Sequence, residues 1–475
     1  MDISPKLDEN LKESLYIQLY EYIKEEIQSG RISPLTRLPS IRQLSTYLRV
    51  SKTTVQMAYQ QLLAEGYIES KERSGFYVVE IEREPFGRMA NDCQSVPFIE
   101  DKNMRKKHIR YDFYMCNIDL DHFPYNKWRT CSNQSMNIDQ KELLSYGDQQ
   151  GELGLRRILC NYLRQARGVN CSEEQIVLGA GTQTVIKLLC QLIGLDRKKV
   201  AMEEPGYYGG RNVFHQLGFS IKPIHLQKDG INIEELAKSG AKVAYITPSH
   251  QYPLGMVLPI AKRMKLLQWA EENNCLIIED DYDGEFRYHG KPIPSLQGLD
   301  AHGNVVYIGT FSKSLMPAIR ISYMVLPKRL LEVYRNNLFM YEQTVSRLHQ
   351  KSLQLFMESG EWERHIRRMR KVYQKKHDVL LQTIKNVMRG HVKVTGQDAG
   401  LHIVIEVKSS KDVDDLVKIA EDSGVKVYSI TNNWFEKQVD YPRLILLGFG
   451  GLSIQEIEQG IKHLHAAWSP FYKEE

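Results

Sequence analysis

No stretch of this 475-residue chain approaches the roughly 20 consecutive apolar residues of a bilayer-spanning helix, and no N-terminal run joins basic residues to an apolar core and a small-residue cleavage site. No membrane partner is therefore expected, and the cytoplasm is the expected address. The seven cysteines (Cys93, Cys116, Cys131, Cys160, Cys171, Cys190, Cys275) never stand in Cys-x-x-Cys spacing, so neither a zinc site nor a disulfide framework is suggested, and no metal is expected. A net charge of +5 is too small for this length to name a partner. With 42% hydrophobic and 25% charged residues the composition is that of an ordinary globular protein, and the length suits two or three domains.

One local absence is informative. From Arg31 to Ala64 there is no acidic residue but five basic ones, which suits a polyanionic partner. Around it the pattern is helical. Leu15, Leu19, Ile23 and Ile27 form one apolar stripe that stops at Gly30. A short helix is expected after Ser40, which is placed to cap it. Ser51 is placed to cap another, Lys52 to Glu65, with Val55, Ala58, Tyr59, Leu62 and Leu63 inward and Lys52, Thr53, Thr54 and Gln56 free. Short polar and basic side chains at such a helix start can reach base edges, while the helix end and Arg42 favour phosphate. Strands Tyr67–Glu69 and Phe76–Val79 are expected to flank the tip 71–75, a wing whose Ser74 and Gly75 lie along DNA. The alternative is a small helical domain with exposed charges.

Beyond Glu80 periodicity fails, Pro85 and Pro97 interrupt, and Arg105, Lys106, Lys107 and Arg110 cluster. This predicts a head at 1–80, a linker at 81–108 and a body at 109–475. In the body short apolar runs end in polar or glycine residues: 176–178 before Gly179, 200–202 before Glu203, 243–246 before Thr247, 276–278 before Glu279 and 305–308 before Gly309. Helical patterns separate them, which argues for an α/β domain with a mainly parallel sheet and a ligand at the strand ends.

The candidate chemistry sits at those ends. Lys313, in Gly309-Thr310-Phe311-Ser312-Lys313-Ser314, offers an amine for a Schiff base. Asp280, in the acidic turn Glu279-Asp280-Asp281-Tyr282, can hold a pyridine nitrogen protonated, and Tyr282 can hydrogen-bond a ring oxygen. The turn containing Gly181, Thr182 and Gln183 can meet a phosphate with backbone N–H groups, with Arg320 and Thr310 completing the cup. Tyr207, in Pro205-Gly206-Tyr207-Tyr208, can stack on the ring. Singly these read equally well as a surface lysine, an exposed acidic loop or a core tyrosine. As a set they are what pyridoxal 5'-phosphate requires.

Two resemblances narrow this. Leu38-Pro39-Ser40-x-Arg42-x-Leu44, Val50-Ser51-Lys52-Thr53-Thr54-Val55 and Leu63-x-x-Glu65-Gly66-Tyr67 resemble the winged helix-turn-helix domain of GntR-type regulators. That resemblance implies DNA contacts at Arg42, Ser51, Lys52, Thr53, Thr54 and Gln56, the last standing where many relatives carry arginine. Residues from about 110 to 467, with Tyr146-Gly147-Asp148-x-x-Gly151-x-x-x-Leu155-Arg156 and Ile278-Glu279-Asp280-Asp281-Tyr282-Asp283-x-Glu285-Phe286, resemble fold-type I aminotransferases with large and small subdomains.

The whole chain is thus similar to MocR-type regulators, most of all the GABA-responsive, GabR-like ones. This implies a transcriptional regulator that binds an operator in double-stranded DNA as a homodimer and senses an amino compound through an external aldimine. The body is expected to serve mainly for sensing. The alternatives are a competent aminotransferase with a DNA-binding head, or a sensor of pyridoxal phosphate itself.

Two departures bear on the ligand. Tyr252-Pro253-Leu254-Gly255 replaces the usual Asn-Pro-x-Gly, which leaves His250 or Gln251 as candidates for the ring hydroxyl. Gly209 and Asn432 stand where the GABA-responsive relative has its two carboxylate-binding arginines. Arg443 aligns with the arginine that binds the α-carboxylate in aminotransferases, which implies an α-amino acid or a short peptide-like amine as effector. The alternative for Arg443 is a strand-edge surface arginine.

Overall fold

The apolar stripe at every fourth residue folds as α1 (Leu15–Gln28), which buries Leu19, Ile23 and Ile27. In α2 (Ile41–Leu48) the Ser40 side chain accepts from Gln43 N–H while the Gln43 side chain accepts from Ser40 N–H, a reciprocal cap. In α3 (Lys52–Ala64) Ser51 caps by accepting from Thr54 N–H, and Val55, Ala58, Tyr59 and Leu62 are buried. Gly66 follows at φ +76°, and the chain returns through β1 (Ile68–Lys71) and β2 (Gly75–Val78), an antiparallel pair. The pair runs further toward its tip than the sequence suggests: Lys71 and Gly75 are cross-strand partners. Leu19, Ile23, Leu44, Val55, Leu62 and Ile68 share one core.

The computed structural model describes residues 3–8, 11, 13–72, 74–80, 109–194, 198–288, 290, 292–337, 341–435 and 442–473. The expected linker 81–108, with Arg105, Lys106 and Lys107, lies outside the described residues, as do Arg73 and Cys93. The chain divides into two compact units, Met1–Asn103 and Met104–Glu475. Among the described residues no helix is long and apolar enough to cross a membrane.

The second unit is built on an eight-stranded sheet. Its strands are β3 (Ile176–Gly179), β4 (Lys199–Glu204), β5 (Ser220–Gln227), β6 (Gly230–Ile231), β7 (Val243–Ile246), β8 (Leu276–Asp281), β9 (Val305–Thr310) and β10 (Ser322–Val325), in spatial order β3-β10-β9-β8-β7-β4-β5-β6. From β9 to β5 neighbours run parallel, and β10 is antiparallel to both β9 and β3. Parallel strands covered on both faces need apolar residues at every position. In β8, Leu276 and Ile278 join one core with helix α4 (Thr182–Ile193), and Ile277 joins the core on the other face.

The polar residues that close the apolar runs do not close the strands. Glu279, Asp280 and Asp281, read as a turn, are the last three residues of β8 and are buried. Each carboxylate has a partner that makes its burial tolerable. Glu279 accepts from Leu296 N–H at 2.8 Å and Gln297 N–H at 2.9 Å, and Asp281 accepts from Tyr307 at 2.6 Å and pairs with Arg167. Asp280 accepts from the Tyr245 hydroxyl.

A smaller sheet follows, made of β11 (Val392–Thr395), β12 (His402–Val407), β13 (Tyr428–Ser429) and β14 (Leu444–Gly448), in the antiparallel order β11-β12-β14-β13.

Candidate functional site

In the first unit most of the residues expected to touch DNA are exposed. Arg42 on α2 is exposed, as are Ser51, Lys52, Thr53 and Gln56 at the start of α3, with Thr54 half-buried. The structure separates these by task. Ser51 and Thr54 are engaged with each other, their hydroxyls 2.8 Å apart, and Ser51 also caps α3. Lys52, Thr53 and Gln56 project from the same turns. In the hairpin Ser74 lies 2.6 Å from the Tyr77 hydroxyl, and Gly75 takes φ +112°, a region that disfavours side chains. A Cβ there would lie 3.4 Å from Arg37 Nε, an ordinary contact, so the glycine serves the backbone conformation and not the space around it.

In the second unit the parallel strands deliver their ends to one cavity of about 470 Å³. Eight of the nine residues read from sequence as cofactor-binding line it: Thr182, Gln183, Tyr207, Asp280, Tyr282, Thr310, Lys313 and Arg320. The ninth, Gly181, is the N-cap of α4 at φ +93°, where a Cβ would collide with the Arg320 guanidinium. Arg320 itself takes φ +53°, a left-handed conformation that a non-glycine residue holds only where its surroundings impose it. Thr310, at the end of β9, accepts from Ser322 Oγ at 2.8 Å and Ser312 N–H at 3.2 Å.

Among the described residues two buried polar atoms in this cavity lack a hydrogen-bond partner, Lys313 Nζ and Asp280 Oδ1. Orphaned buried groups of this kind are rare and call for a ligand or a function. Burial lifts the Asp280 carboxyl to about 7, with the Tyr245 hydroxyl opposing the shift. A cationic partner at Oδ1 would reverse that rise. Lys313 Nζ stands 4.5 Å from the Tyr282 ring centroid, and the Tyr282 hydroxyl is 3.0 Å from His250 Nδ1. The half-buried Tyr207 ring lies 6.5 Å from that of Tyr245 at an interplanar angle of 23°. An amine, a buried carboxylate, a phenol, a helix start and a guanidinium around one cavity fit pyridoxal phosphate.

Three expectations require correction. Neither His250 nor Gln251 lines the cavity: Gln251 donates to the Pro205 and Tyr252 carbonyls, and the residue of this loop that does line it is Tyr252. Arg443 is not brought to the cavity either. Its Nε donates to the Lys411 carbonyl at 2.6 Å, and Leu446 is the β14 residue in the wall. Strand alternation is the cause: Leu444 and Leu446 share the cavity-side cluster, and Arg443 has the parity of Ile445 and Leu447, which face the opposite core. Third, the acidic residues 279–281 lie in a strand, as described above.

At Gly209 a Cβ would come 2.5 Å from Tyr207 Cζ, so a longer side chain there is incompatible with this tyrosine position. Sequence reasoning missed Tyr114, Cys116, Tyr208 and Tyr428, which also line the cavity. No local pattern marks them. It also missed Asp283 and His402, which lie beside Lys313, although Asp283 stands within the quoted acidic motif.

Residues 116–464 match the family Aminotransferase class I and II, and residues 15–78 match Bacterial regulatory proteins, gntR family. The chain is 42% identical over 473 residues to the uncharacterized HTH-type transcriptional regulator YhdI of Bacillus subtilis, covering 99% of each. It is 30% identical over 471 residues to the probable rhizopine catabolism regulatory protein MocR of Rhizobium meliloti, covering 97% of this chain and 95% of that one. Among solved structures it resembles the kynurenine aminotransferase of Pyrococcus horikoshii in complex with PMP, at TM-score 0.68 and 24% identity, over 80% of this chain and 98% of the other.

Proposed function

From the premise that this chain belongs to the MocR-type GntR transcriptional regulators, with a winged helix-turn-helix head and a fold-type I aminotransferase body, we propose that it holds pyridoxal 5'-phosphate on Lys313 and senses an amino compound that displaces this lysine. The aminotransferase class I and II family uses this cofactor. One observation carries the assignment: Lys313 Nζ and Asp280 Oδ1, both buried and both without a hydrogen-bond partner, lie in the cavity that Arg320 and Thr310 also line.

When bound, pyridoxal phosphate supplies an aldehyde that primary amines capture and a ring that withdraws electrons. The chain's residues do the rest. Arg320, Thr310 and the α4 start with Gly181, Thr182 and Gln183 hold the phosphate. Asp280 ionises against the ring nitrogen, Tyr207 covers a ring face, and Tyr282 serves the ring oxygen. Arg443, turned to Lys411, stands apart and offers no anchor to an effector carboxylate in this conformation. The tyrosines 114, 208 and 428 surround the space left for the effector.

In the head, Arg42 contacts phosphate, and Lys52, Thr53 and Gln56 face bases, with Ser51 and the half-buried Thr54 joined at the cap and Ser74 and Gly75 in the wing. A homodimer would present two α3 helices to a two-fold operator. Displacement of Lys313 changes operator binding only as far as the ligand favours one of two conformations.

The experiment is an absorbance titration of purified protein with candidate amines, run beside operator binding. A shift in both at one concentration supports the reading. Keto-acid release at about 1 per second or faster with unchanged operator binding would instead identify an enzyme. Operator affinity that follows cofactor loading and ignores amines would identify a sensor of the cofactor.

A further inference from the structure

A buried acid-histidine pair stands against Lys313, and neither of its members is among the residues that line the cavity. Two residues after β8, Asp283 turns inward, its side chain 1% exposed. Both its carboxylate oxygens lie 3.0 Å from His250 Nδ1, and Oδ2 lies 3.8 Å from Lys313 Nζ. His402 on β12 packs its ring 5.2 Å from that of His250, and its Nε2 lies 3.1 Å from the Pro253 carbonyl. Two glycines close on the pair. A Cβ at Gly400 would collide with the His250 ring and Asp283 Oδ2, and one at Gly255 would lie 3.1 Å from His250 Nε2. The carboxylate is thus fixed in place.

A buried carboxylate needs a cationic or donating partner. Burial alone would raise the Asp283 carboxyl, but His250 and then Lys313 bring it below its usual range. Burial, with Lys313 and His250 adding, drives His402 down to about 3, so it stays neutral. The charged and titratable groups that face Lys313 Nζ are therefore Asp283, Asp280 and Tyr282 from the end of β8 and beyond, and His402 from β12, with His250 behind Asp283. Asp280 is matched to the ring nitrogen. Asp283 is the carboxylate left for the lysine.

We propose that Asp283, oriented by His250, is the counter-ion that receives the ammonium of Lys313 when an amine displaces it from the cofactor, and so sets how readily the sensor switches. This rests on the reading of Lys313 as the cofactor-bound amine. The exchange balances: the incoming ammonium nitrogen forms the double bond to the cofactor carbon as the bond from that carbon to Nζ breaks. The three hydrogens of the ammonium end on Nζ, so one positive charge moves from ligand to lysine. Asp283 favours that outcome as a positioning residue, since it is not among the residues that line the cavity. One ligand-type atom each of His250, Asp283 and His402 lies within 4.8 Å of the others, the spacing of a candidate metal site. Here the positive charge is supplied by Lys313.

Full-length wild type, Asp283→Asn and His250→Gln, each loaded with pyridoxal phosphate, provide the test. Without amine, the pH midpoint for protonating the lysine-bound nitrogen, read by absorbance, should fall by about one unit in Asp283→Asn and by less in His250→Gln. Above the wild-type midpoint, methylamine serves as a minimal displacing amine, with displacement read as loss of the cofactor that borohydride fixes to Lys313. Asp283→Asn should need about tenfold more, equivalent to one such unit. Equal midpoints and equal methylamine requirements overturn the proposal. So does a divalent ion that co-purifies with wild type and is lost in Asp283→Asn. If Asp283→Asn fails to take up cofactor, His250→Gln carries the same comparison. Operator binding indifferent to every amine, with both shifts present, would sink the sensing reading and leave the lysine pairing intact.

Discussion

The head and the body place their proposed functional residues in opposite surroundings. On the head, Arg42, Lys52, Thr53 and Gln56 are exposed and lie within fifteen residues of sequence, on helices whose buried stripe does the folding. In the body, the candidate residues run from Gly181 to Arg320, and Asp280 and Lys313 are buried at the ends of different strands. A surface that reads a long polyanion can be assembled locally, because water screens its charges until DNA arrives. A site that holds a small charged cofactor must be preorganised in a dry cavity, and here the sheet brings distant groups to one point.

The contrast makes the body's substitutions the more damaging ones. Lys313→Ala should abolish covalent attachment and the visible absorbance, and borohydride should label no other lysine; label elsewhere would move the site. Arg320→Gln should weaken cofactor affinity by about 1.5–3 kcal/mol, the usual worth of a hydrogen bond to a charged group, because the Arg320 side chain is exposed; equilibrium dialysis reads it. Cofactor binding within threefold of wild type would mean that the helix start holds the phosphate alone.

Burial also gives the body a pH signature of raised carboxyls, whereas in the head hydrogen bonds from Tyr20, Gln61 and Lys24 lower Glu65. Glu203, Glu279, Asp280 and Glu285 are each raised to about 7, in every case first by burial. At these four carboxyls the folded protein binds more protons than the unfolded chain between about 4 and 7, so their contribution to stability falls as pH rises through this window. His365 and His402, lowered by burial to about 4 and about 3, oppose it. In cofactor-free protein, Asp280→Asn should flatten that fall by one proton, measured as the pH dependence of the urea midpoint. An unchanged slope would show Asp280 already ionised.

The same contrast explains what could be read from sequence. The head was legible nearly to the residue because its signals are local: a stripe every fourth position, serines before Ile41 and Lys52, a glycine at position 66. In the body the apolar runs located the strands, and eight of nine cofactor positions fall on one cavity. The failures have physical causes. Buried carboxylates with distant partners look like a turn, because nothing near Asp281 announces Arg167. Arg443 fails by strand parity, which an alignment off by one residue inverts. Tyr114, Cys116 and Tyr428 reach the cavity from segments without any chemical motif.

Smaller effects belong to the head. Gln56→Ala should change discrimination at one base pair by about 1–3 kcal/mol and leave nonspecific binding alone. Arg42→Ala should weaken binding to all sequences and reduce the log–log salt slope by about 1. Equal slopes for wild type and Arg42→Ala would remove Arg42 from the phosphate contacts.

Ser51 is the residue at which the two kinds of site could be confused. The motif that resembles GntR-type regulators implies a DNA contact, but in this structure its hydroxyl is 3.0 Å from Thr54 N–H and 2.8 Å from the Thr54 hydroxyl. A cap of this kind contributes about 1 kcal/mol to stability, and its loss frays the helix turn that carries Lys52 and Thr53. Ser51→Ala should therefore lower the stability of the head by about that amount and weaken operator binding without altering base preference. Ser51→Asp restores a side-chain acceptor at the cap and should recover stability, while its added negative charge near phosphate should keep binding weak. Recovery of both stability and binding in Ser51→Asp would mean that the serine acts through the cap alone. A change of base preference in Ser51→Ala would place its hydroxyl in the groove.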